Sequence, residues 1–193
     1  MSPIRNFLIT TLRRFVVDKS GTNILEFGLI LPILAMVFMG TVDIGQLIVA
    51  NMKIYNAASS MADLVSRDET ISNDTLTDLF GAASQVATPF NLGSNGKVII
   101  TSVSADTDDD PRIFWQAEDA GGYGAVSVVG TVVGEPATLP ATLQVDDQET
   151  IIVSEVFYQF EPIFGLINTG TTIYHSAYYR PRLGTLRDIE PDP

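Results

Sequence analysis

The sequence predicts an α+β protein. A long N-terminal helix, membrane-spanning and then amphipathic, precedes a C-terminal head with a short helix and a four-stranded antiparallel sheet. Two observations lead to this prediction. Residues 27–42 contain no charged side chain, which is the pattern of a transmembrane helix. The second half of the chain contains short segments rich in alternating apolar residues, separated by turn residues, which is typical of antiparallel strands.

The composition leaves room for one head domain and a membrane segment. The chain has 193 residues, of which 46% are hydrophobic, and its mean hydropathy of +0.23 is high for a soluble protein. The formal net charge of -12 argues against nucleic acid as a partner, because binding phosphates needs a basic surface. The chain has no cysteine, so disulfides and thiolate metal sites are excluded.

The charge is distributed unevenly along the chain. Residues 1–21 carry a net charge of +3, so the remaining residues carry -15. Basic residues that precede a membrane segment favour keeping that end of the chain in the cytoplasm. We therefore predict a basic cytoplasmic leader at residues 1–21 and an acidic head at residues 68–193, on the opposite side of the membrane.

The predicted membrane span covers about residues 24–50, in which Glu26 and Asp43 are the charged residues. At about 1.5 Å per residue, this span can cross a hydrocarbon layer of roughly 30 Å. A cleaved secretory signal is the competing interpretation, but it requires a shorter apolar core followed by a small-residue cleavage site. Here the apolar run is longer, and apolar periodicity resumes after Asp43, which favours a retained anchor.

Four residues of the span bear on its shape. Pro32 is tolerated within a membrane helix and is expected to produce a local kink. Small residues allow another helix to approach closely, although glycine is also common in membrane helices in general. The glycines concerned are Gly28, Gly40 and Gly45.

The helix is predicted to continue beyond the membrane. Apolar residues recur at three- and four-residue steps from Ile44 to Val65, which is the period of an amphipathic helix. We therefore predict one helix over residues 22–67 whose second half packs against the head. A second helix is expected to follow, with Ser72 or Asn73 as its N-cap and with its end before Pro89.

The rest of the head is predicted to form two β-hairpins, which together give the four-stranded sheet, with the helices covering one face. In the first strand, Val98, Ile100 and Val103 are expected on one side. Residues 119–148 are rich in Gly, Ala, Pro and Thr and are predicted to be mostly loop. The four predicted strands are Lys97–Ala105, Arg112–Ala117, Glu149–Phe160 and Thr171–Arg180.

The head offers few candidates for chemistry. The acidic segment Asp106–Asp110 could supply oxygen ligands for calcium, but it lacks the EF-hand pattern, and a solvated turn is favoured. His175 is the single histidine, and no nucleophile motif or second histidine accompanies it, so we interpret it as structural. We therefore predict no catalytic residue, no metal site and no cofactor, and we do not expect an enzyme.

Glu26 is the residue that folding does not explain. A charge within the membrane costs about 2.5–3.5 kcal/mol on insertion scales. If the chain were cut after Gly21, Thr22 would become the N-terminus and Glu26 would lie one helical turn away. The carboxylate would then sit near the positive end of the helix dipole. The new amine, on the same helix or on a neighbouring subunit, would be its counter-charge and would set the axial register between helices.

The segment Gly21-Thr22-Asn23-Ile24-Leu25-Glu26-Phe27, followed by an apolar helix, resembles the prepilin peptidase site of type IV pilin-like proteins. More narrowly, the sequence is similar to the TadE-like pseudopilins of the Tad (Flp, type IVc) pilus system. The likeness is carried by residues 23–34, 40–46 and 56–58, which contain the Glu-Phe pair, the proline and an aspartate before a glycine. Residues 155–162 and 179–182 show a weaker likeness.

The resemblance implies a minor pilin or pseudopilin in the bacterial inner membrane. Its N-terminus would lie in the cytoplasm and its head in the periplasm. Incorporation into the extracellular pilus is a further option. Prepilin peptidase would cut between Gly21 and Thr22, and in type IV pilins generally the new first residue is N-methylated. Glu26 and Phe27 would serve recognition and subunit register. The implied partners are the prepilin peptidase, the major pilin, a sister pseudopilin, the membrane assembly platform with its ATPase, and the lipid bilayer.

Such a head could initiate the filament, sit at its tip or regulate its length. The alternative function is an uncleaved, single-span membrane-anchored periplasmic domain for binding or cell adhesion.

Overall fold

The computed structural model describes residues 21–105, 110–119, 121–166 and 170–191. Most of the predicted leader and most of the predicted Asp-rich turn lie outside these residues. Helix α1 spans Thr22–Arg67, 46 residues, and ends where Asp68 adopts an extended conformation. The single long helix predicted from the sequence is thus confirmed.

The two halves of α1 differ in their surroundings. In the first half the large apolar side chains are exposed, whereas the second half supplies a row of buried side chains to the core of the head. The buried residues recur at steps of three or four, as the amphipathic pattern predicted. They are Ala50, Ile54, Ala57, Ala58, Met61, Ala62 and Val65.

The head follows α1 directly. Ser72 is the N-cap of helix α2 (Asn73–Val86), and its hydroxyl accepts a hydrogen bond from the backbone N–H of Thr75 at 3.3 Å. Ser72 is one of the two N-cap candidates predicted from the sequence. Three short elements of two to four residues were not predicted from the sequence: helix α3 (Leu92–Asn95) and strands β1 (Ile71–Ser72) and β6 (Ile189–Glu190). The elements of the head are β1 (Ile71–Ser72), α2 (Asn73–Val86), α3 (Leu92–Asn95), β2 (Gly96–Ala105), β3 (Pro111–Glu118), β4 (Thr150–Phe160), β5 (Thr171–Tyr179) and β6 (Ile189–Glu190).

The main sheet has the order β3-β2-β4-β5, and all of its pairs are antiparallel. This confirms the predicted four-stranded antiparallel sheet and its two hairpins. Helix α1 lies against β4 and β5, and α2 packs on α1. The helices therefore cover one face of the sheet, where Val98, Ile100, Ile152 and Val156 belong to the larger core cluster.

The opposite face of the sheet is also covered. A second apolar cluster contains Val103, Ala105 and Val153 from the strands together with Val129 and Val145 from the long segment before β4. The expectation that Val103 lies with Val98 and Ile100 was wrong. Successive side chains of a strand point to opposite faces, so a three-residue step from Ile100 leads to the other side.

The segment before β4 is loop, as predicted. Among its described residues, 121–148, the β-structure consists of isolated bridges, such as the one between Arg112 and Pro136. Its role was not predicted: it packs over the second face of the sheet and makes both central strands, β2 and β4, buried on both sides.

The C-terminal segment returns across the end of α1. The backbone carbonyl of Leu186 accepts hydrogen bonds from Ser102 Oγ at 2.8 Å and from Trp115 Nε1 at 2.9 Å. The backbone N–H of Arg182 donates to the carbonyl of Ser66 at 2.8 Å. Strand β6 then pairs in parallel with β1. These contacts hold the end of α1 in a fixed position on the head.

Candidate functional site

Helix α1 starts at the predicted cleavage position. Gly21 is its N-cap residue, and the carbonyl of Gly21 accepts a hydrogen bond from the backbone N–H of Leu25 at 3.3 Å. Gly21 and Thr22 are both exposed. A methyl group added to Gly21 would meet no atom within 4 Å. Folding of the described chain therefore places no steric demand for glycine at this position.

The first half of α1 presents an apolar surface. An 18-residue window of the helix has a mean hydropathy of 2.1 and is only 6% buried. A core helix of a soluble protein is apolar because it is buried, so the exposure of this window argues against that alternative. A secretory signal also passes the hydropathy test, but α1 continues without a break into the core of the head. The helix fits a single-pass membrane anchor.

Glu26 lies on this exposed apolar surface. Its neighbours Leu25 and Phe27 are 71% and 61% exposed, and Glu26 is exposed as well. Within the described segments of the chain, no hydrogen bond or ion pair involves the Glu26 carboxylate. Thr22 and Glu26 are four positions apart and share one side of the helix. The carboxylate thus lies one turn from the backbone nitrogen of Thr22.

Pro32 lies inside α1, and the helix continues through it. The predicted bend at this residue stays a prediction. At Gly28 and Gly45, an added methyl group would meet no atom within 4 Å. These two glycines are therefore open on the helix surface, where the close approach of a second helix is sterically possible.

Asp43 is the site residue whose role the sequence did not reveal. It is only 2% exposed, although the helix around it is largely uncovered. Its carboxylate accepts hydrogen bonds at 3.0 Å from the backbone N–H of Phe164 and at 3.0 Å from that of Leu166. A lone carboxylate within an apolar helix was the available signal, but nothing in the sequence pointed to the loop between β4 and β5 as its partner.

Further polar contacts continue from Asp43 along the same edge of α1. Residues four positions apart lie on one side of a helix, and four such positions, from 51 to 63, face β5 and the chain that follows it. We call this row the polar seam. Two hydrogen bonds belong to the seam: Asn51 Oδ1 with His175 Nε2 at 3.0 Å, and Ser59 Oγ with Tyr179 Oη at 3.2 Å. The rings of Tyr55 and His175 pack in a T-shaped arrangement. Asp63 forms a salt bridge with Arg182 at 2.8 Å.

His175 is thus a packing residue of the seam. Burial lowers the pKa of its imidazole below the ordinary histidine value. The neutral ring contacts Asn51 and Tyr55 of α1, in line with the structural interpretation from the sequence.

A buried carboxylate anchors the loop on the other face of the sheet. Glu155 in β4 is 0% exposed, and it accepts hydrogen bonds from Ser127 Oγ, from the backbone N–H of Val128 at 2.9 Å and from Tyr174 Oη at 2.9 Å. Burial raises the pKa of Tyr174, and the neighbouring Glu155 carboxylate raises it too, so the phenol stays protonated and can donate. The network ties residues 127–128 to the sheet.

The described residues offer no arrangement typical of a metal site. Among them, no group of three or more His, Asp or Glu side chains could hold a metal ion. The calcium alternative concerned Asp106–Asp110, of which residues 106–109 lie outside the described part of the chain.

The comparison with protein families gives a match within helix α1. Residues 21–63 match the family model described as TadE-like protein. This segment of the chain is similar to TadE-like proteins. The match begins at Gly21 and ends at Asp63 of the polar seam, so it covers the exposed helix, Asp43 and most of the packed second half of α1. No curated protein and no solved structure matches the chain. The resemblance inferred from the N-terminal residues is confirmed, while the weaker likeness at 155–162 and 179–182 stays a prediction.

Proposed function

We propose that this protein is a minor pilin or pseudopilin that takes part in assembling a Tad-type pilus. The observation that carries the proposal is the coincidence of two boundaries. Helix α1 begins at Thr22 and the match to the TadE-like family model begins at Gly21, and the first half of this helix has an exposed apolar surface. A subunit that leaves the membrane to enter a filament needs such a helix. One end of the helix must be apolar enough to lie in the lipid bilayer, and the other end must join a folded head.

In this proposal prepilin peptidase removes residues 1–21. Gly21 and Thr22 are exposed, so an enzyme can reach the bond between them. Cleavage would leave the helix intact, because Thr22 is its first residue. The free amine of Thr22 would then lie one turn from Glu26, where a carboxylate in lipid needs a positive partner.

Glu26 thereby acts as a register residue between subunits. Its carboxylate would pair with the amine of its own Thr22 or with that of a neighbouring pilin, and Phe27 would contribute to recognition beside it. The partners in this account are the peptidase, the major pilin, a sister pseudopilin, and the assembly platform with its ATPase. The protein would sit in the bacterial inner membrane with its head in the periplasm, and it would act by binding, without catalysis or a cofactor.

The competing function is an uncleaved, single-span anchor that carries a periplasmic binding or adhesion domain. Intact-mass analysis of the full chain, expressed in membranes with and without a prepilin peptidase, separates the two functions. The proposal predicts a peptidase-dependent loss of residues 1–21. An unprocessed N-terminus under both conditions would favour the uncleaved anchor.

A further inference from the structure

The loop between β4 and β5 exposes three large apolar side chains close together. Ile163, Phe164 and Leu166 are 67%, 43% and 51% exposed. Scattered exposed apolar residues are normal on protein surfaces, but contiguous ones mark contacts with a partner or a membrane. Within residues 161–166, Glu161 is the one charged residue, and it lies at the end that joins β4.

The position of this loop along α1 is fixed. The backbone N–H groups of Phe164 and Leu166 both bond to the Asp43 carboxylate. Two hydrogen bonds to one buried carboxylate hold the loop at the level of Asp43 on the helix axis. The loop therefore lies beside the helix at that level.

The exposed apolar surface of α1 extends to both sides of that level. Val37 and Phe38, before Asp43, are 61% and 68% exposed, and Val49 and Met52, after it, are 46% and 60% exposed. Met52 lies nine residues beyond Asp43, which is about 13 Å along the helix. The first charged residue after Asp43 on α1 is Lys53. The loop thus lies beside a part of α1 that has exposed apolar side chains both before and after it along the helix axis.

Asp43 does not prevent a lipid environment at this level. A buried carboxylate is costly when it lacks partners, and here it accepts two backbone hydrogen bonds while it is 2% exposed. The same bonds satisfy two backbone N–H groups of the loop. A non-helical segment at membrane depth needs its backbone polar groups to be hydrogen-bonded within the protein.

We propose that residues 162–166 lie in the head-side interface of the lipid bilayer, with Ile163, Phe164 and Leu166 inserted among the lipids beside α1. The inference rests on the membrane anchor of the proposed function. It gives the head a second point of membrane contact, next to the helix. Asp43 then holds the head at a set height and tilt relative to the membrane.

The absence of cysteine from the chain makes a direct test possible. Three single-cysteine variants of the full chain, F164C, L34C and V132C, are labelled with an environment-sensitive fluorophore and reconstituted in phosphatidylcholine–phosphatidylglycerol vesicles at high dilution. Leu34 is 56% exposed on the anchor, and Val132 is 55% exposed in the segment over the far face of the sheet. Nitroxide-labelled lipids report contact with the bilayer through quenching.

The proposal predicts blue-shifted emission and lipid quenching at positions 34 and 164, with quenching at 164 several-fold greater than at 132. Quenching at 34 with position 164 resembling position 132 would overturn the inference and leave the anchor intact. A blue shift at 164 without lipid quenching would assign the loop to a protein contact and would also overturn it. Absence of quenching at 34 would instead contradict the anchor of the proposed function.

Discussion

The Asp43 carboxylate accepts a hydrogen bond from the backbone N–H of Phe164 at 3.0 Å, across 121 positions of sequence. Together with the bond from Leu166, this contact joins the exposed half of α1 to the head well before the helix enters the apolar core at Ala50. The polar seam continues the attachment as far as Asp63. The helix is therefore attached to the head from Asp43 onward, and residues 22–42, about 30 Å of helix, precede the first of these contacts.

Removal of the Asp43 carboxylate should destabilise this attachment. In Asp43→Ala, two backbone N–H groups lose a charged acceptor, and hydrogen bonds to charged groups contribute about 1.5–3 kcal/mol each. We expect the free energy of unfolding, measured by chemical denaturation of the full chain in detergent micelles, to fall by about 2 kcal/mol or more. Thr41→Ala is the matched control, because the exposed Thr41 hydroxyl donates a hydrogen bond to the carbonyl of Val37 in its own helix. Equal stability of the two variants would contradict this role of Asp43.

The Glu155 network should hold the long segment over the second face of the sheet. Glu155→Ala leaves the Tyr174 hydroxyl and the Val128 N–H without their acceptor, so we expect a loss of stability of about 3 kcal/mol. We also expect faster proteolytic cleavage within residues 121–148. Tyr174→Phe removes one donor of the three and should have a smaller effect in the same direction. Unchanged cleavage in Glu155→Ala would show that the apolar contacts alone hold residues 121–148 on the sheet, and would contradict this role of Glu155.

His175 should make stability depend on pH. Burial lowers its pKa in the folded state, so the unfolded chain binds the proton more readily. This contribution to stability is complete above the ordinary histidine value of about 6.5 and is lost as the pH falls from that value through the lower folded pKa. Denaturation midpoints between pH 7.5 and 5.5 should fall more steeply for the native chain than for His175→Gln. Parallel profiles would assign the pH dependence to carboxyl groups instead.

Glu26→Ala should separate processing from assembly. The substitution removes the charge that we propose pairs with the Thr22 amine, but it leaves Gly21 and the helix start unchanged. We expect normal cleavage by intact mass together with a clear reduction in piliated cells, counted by electron microscopy. Ile24→Ala, at a neighbouring position that is 76% exposed, is the control for loss of apolar surface. A normal pilus count in Glu26→Ala would argue against the register role.

The features predicted correctly from the sequence depend on local patterns. The steps of three and four from Ile44 to Val65, the Ser72 cap and the alternation in the strands reflect hydrogen bonding and burial between near neighbours. The contacts that were missed are long-range. Asp43 meets a loop more than a hundred residues away, β6 pairs with β1, and residues 127–128 fold back onto Glu155. Such pairings depend on how the elements are arranged in space, which periodicity does not encode.

We propose that a peptidase cuts the chain after Gly21, at the start of a helix whose fold does not need that glycine. The most direct test is the intact mass of Gly21→Ala beside Gly28→Ala, each expressed with prepilin peptidase. An added methyl group at either position meets no atom within 4 Å, so neither substitution should disturb the fold. We expect Gly21→Ala to keep residues 1–21 and Gly28→Ala to lose them. Equal processing of both variants, or of neither, would contradict it.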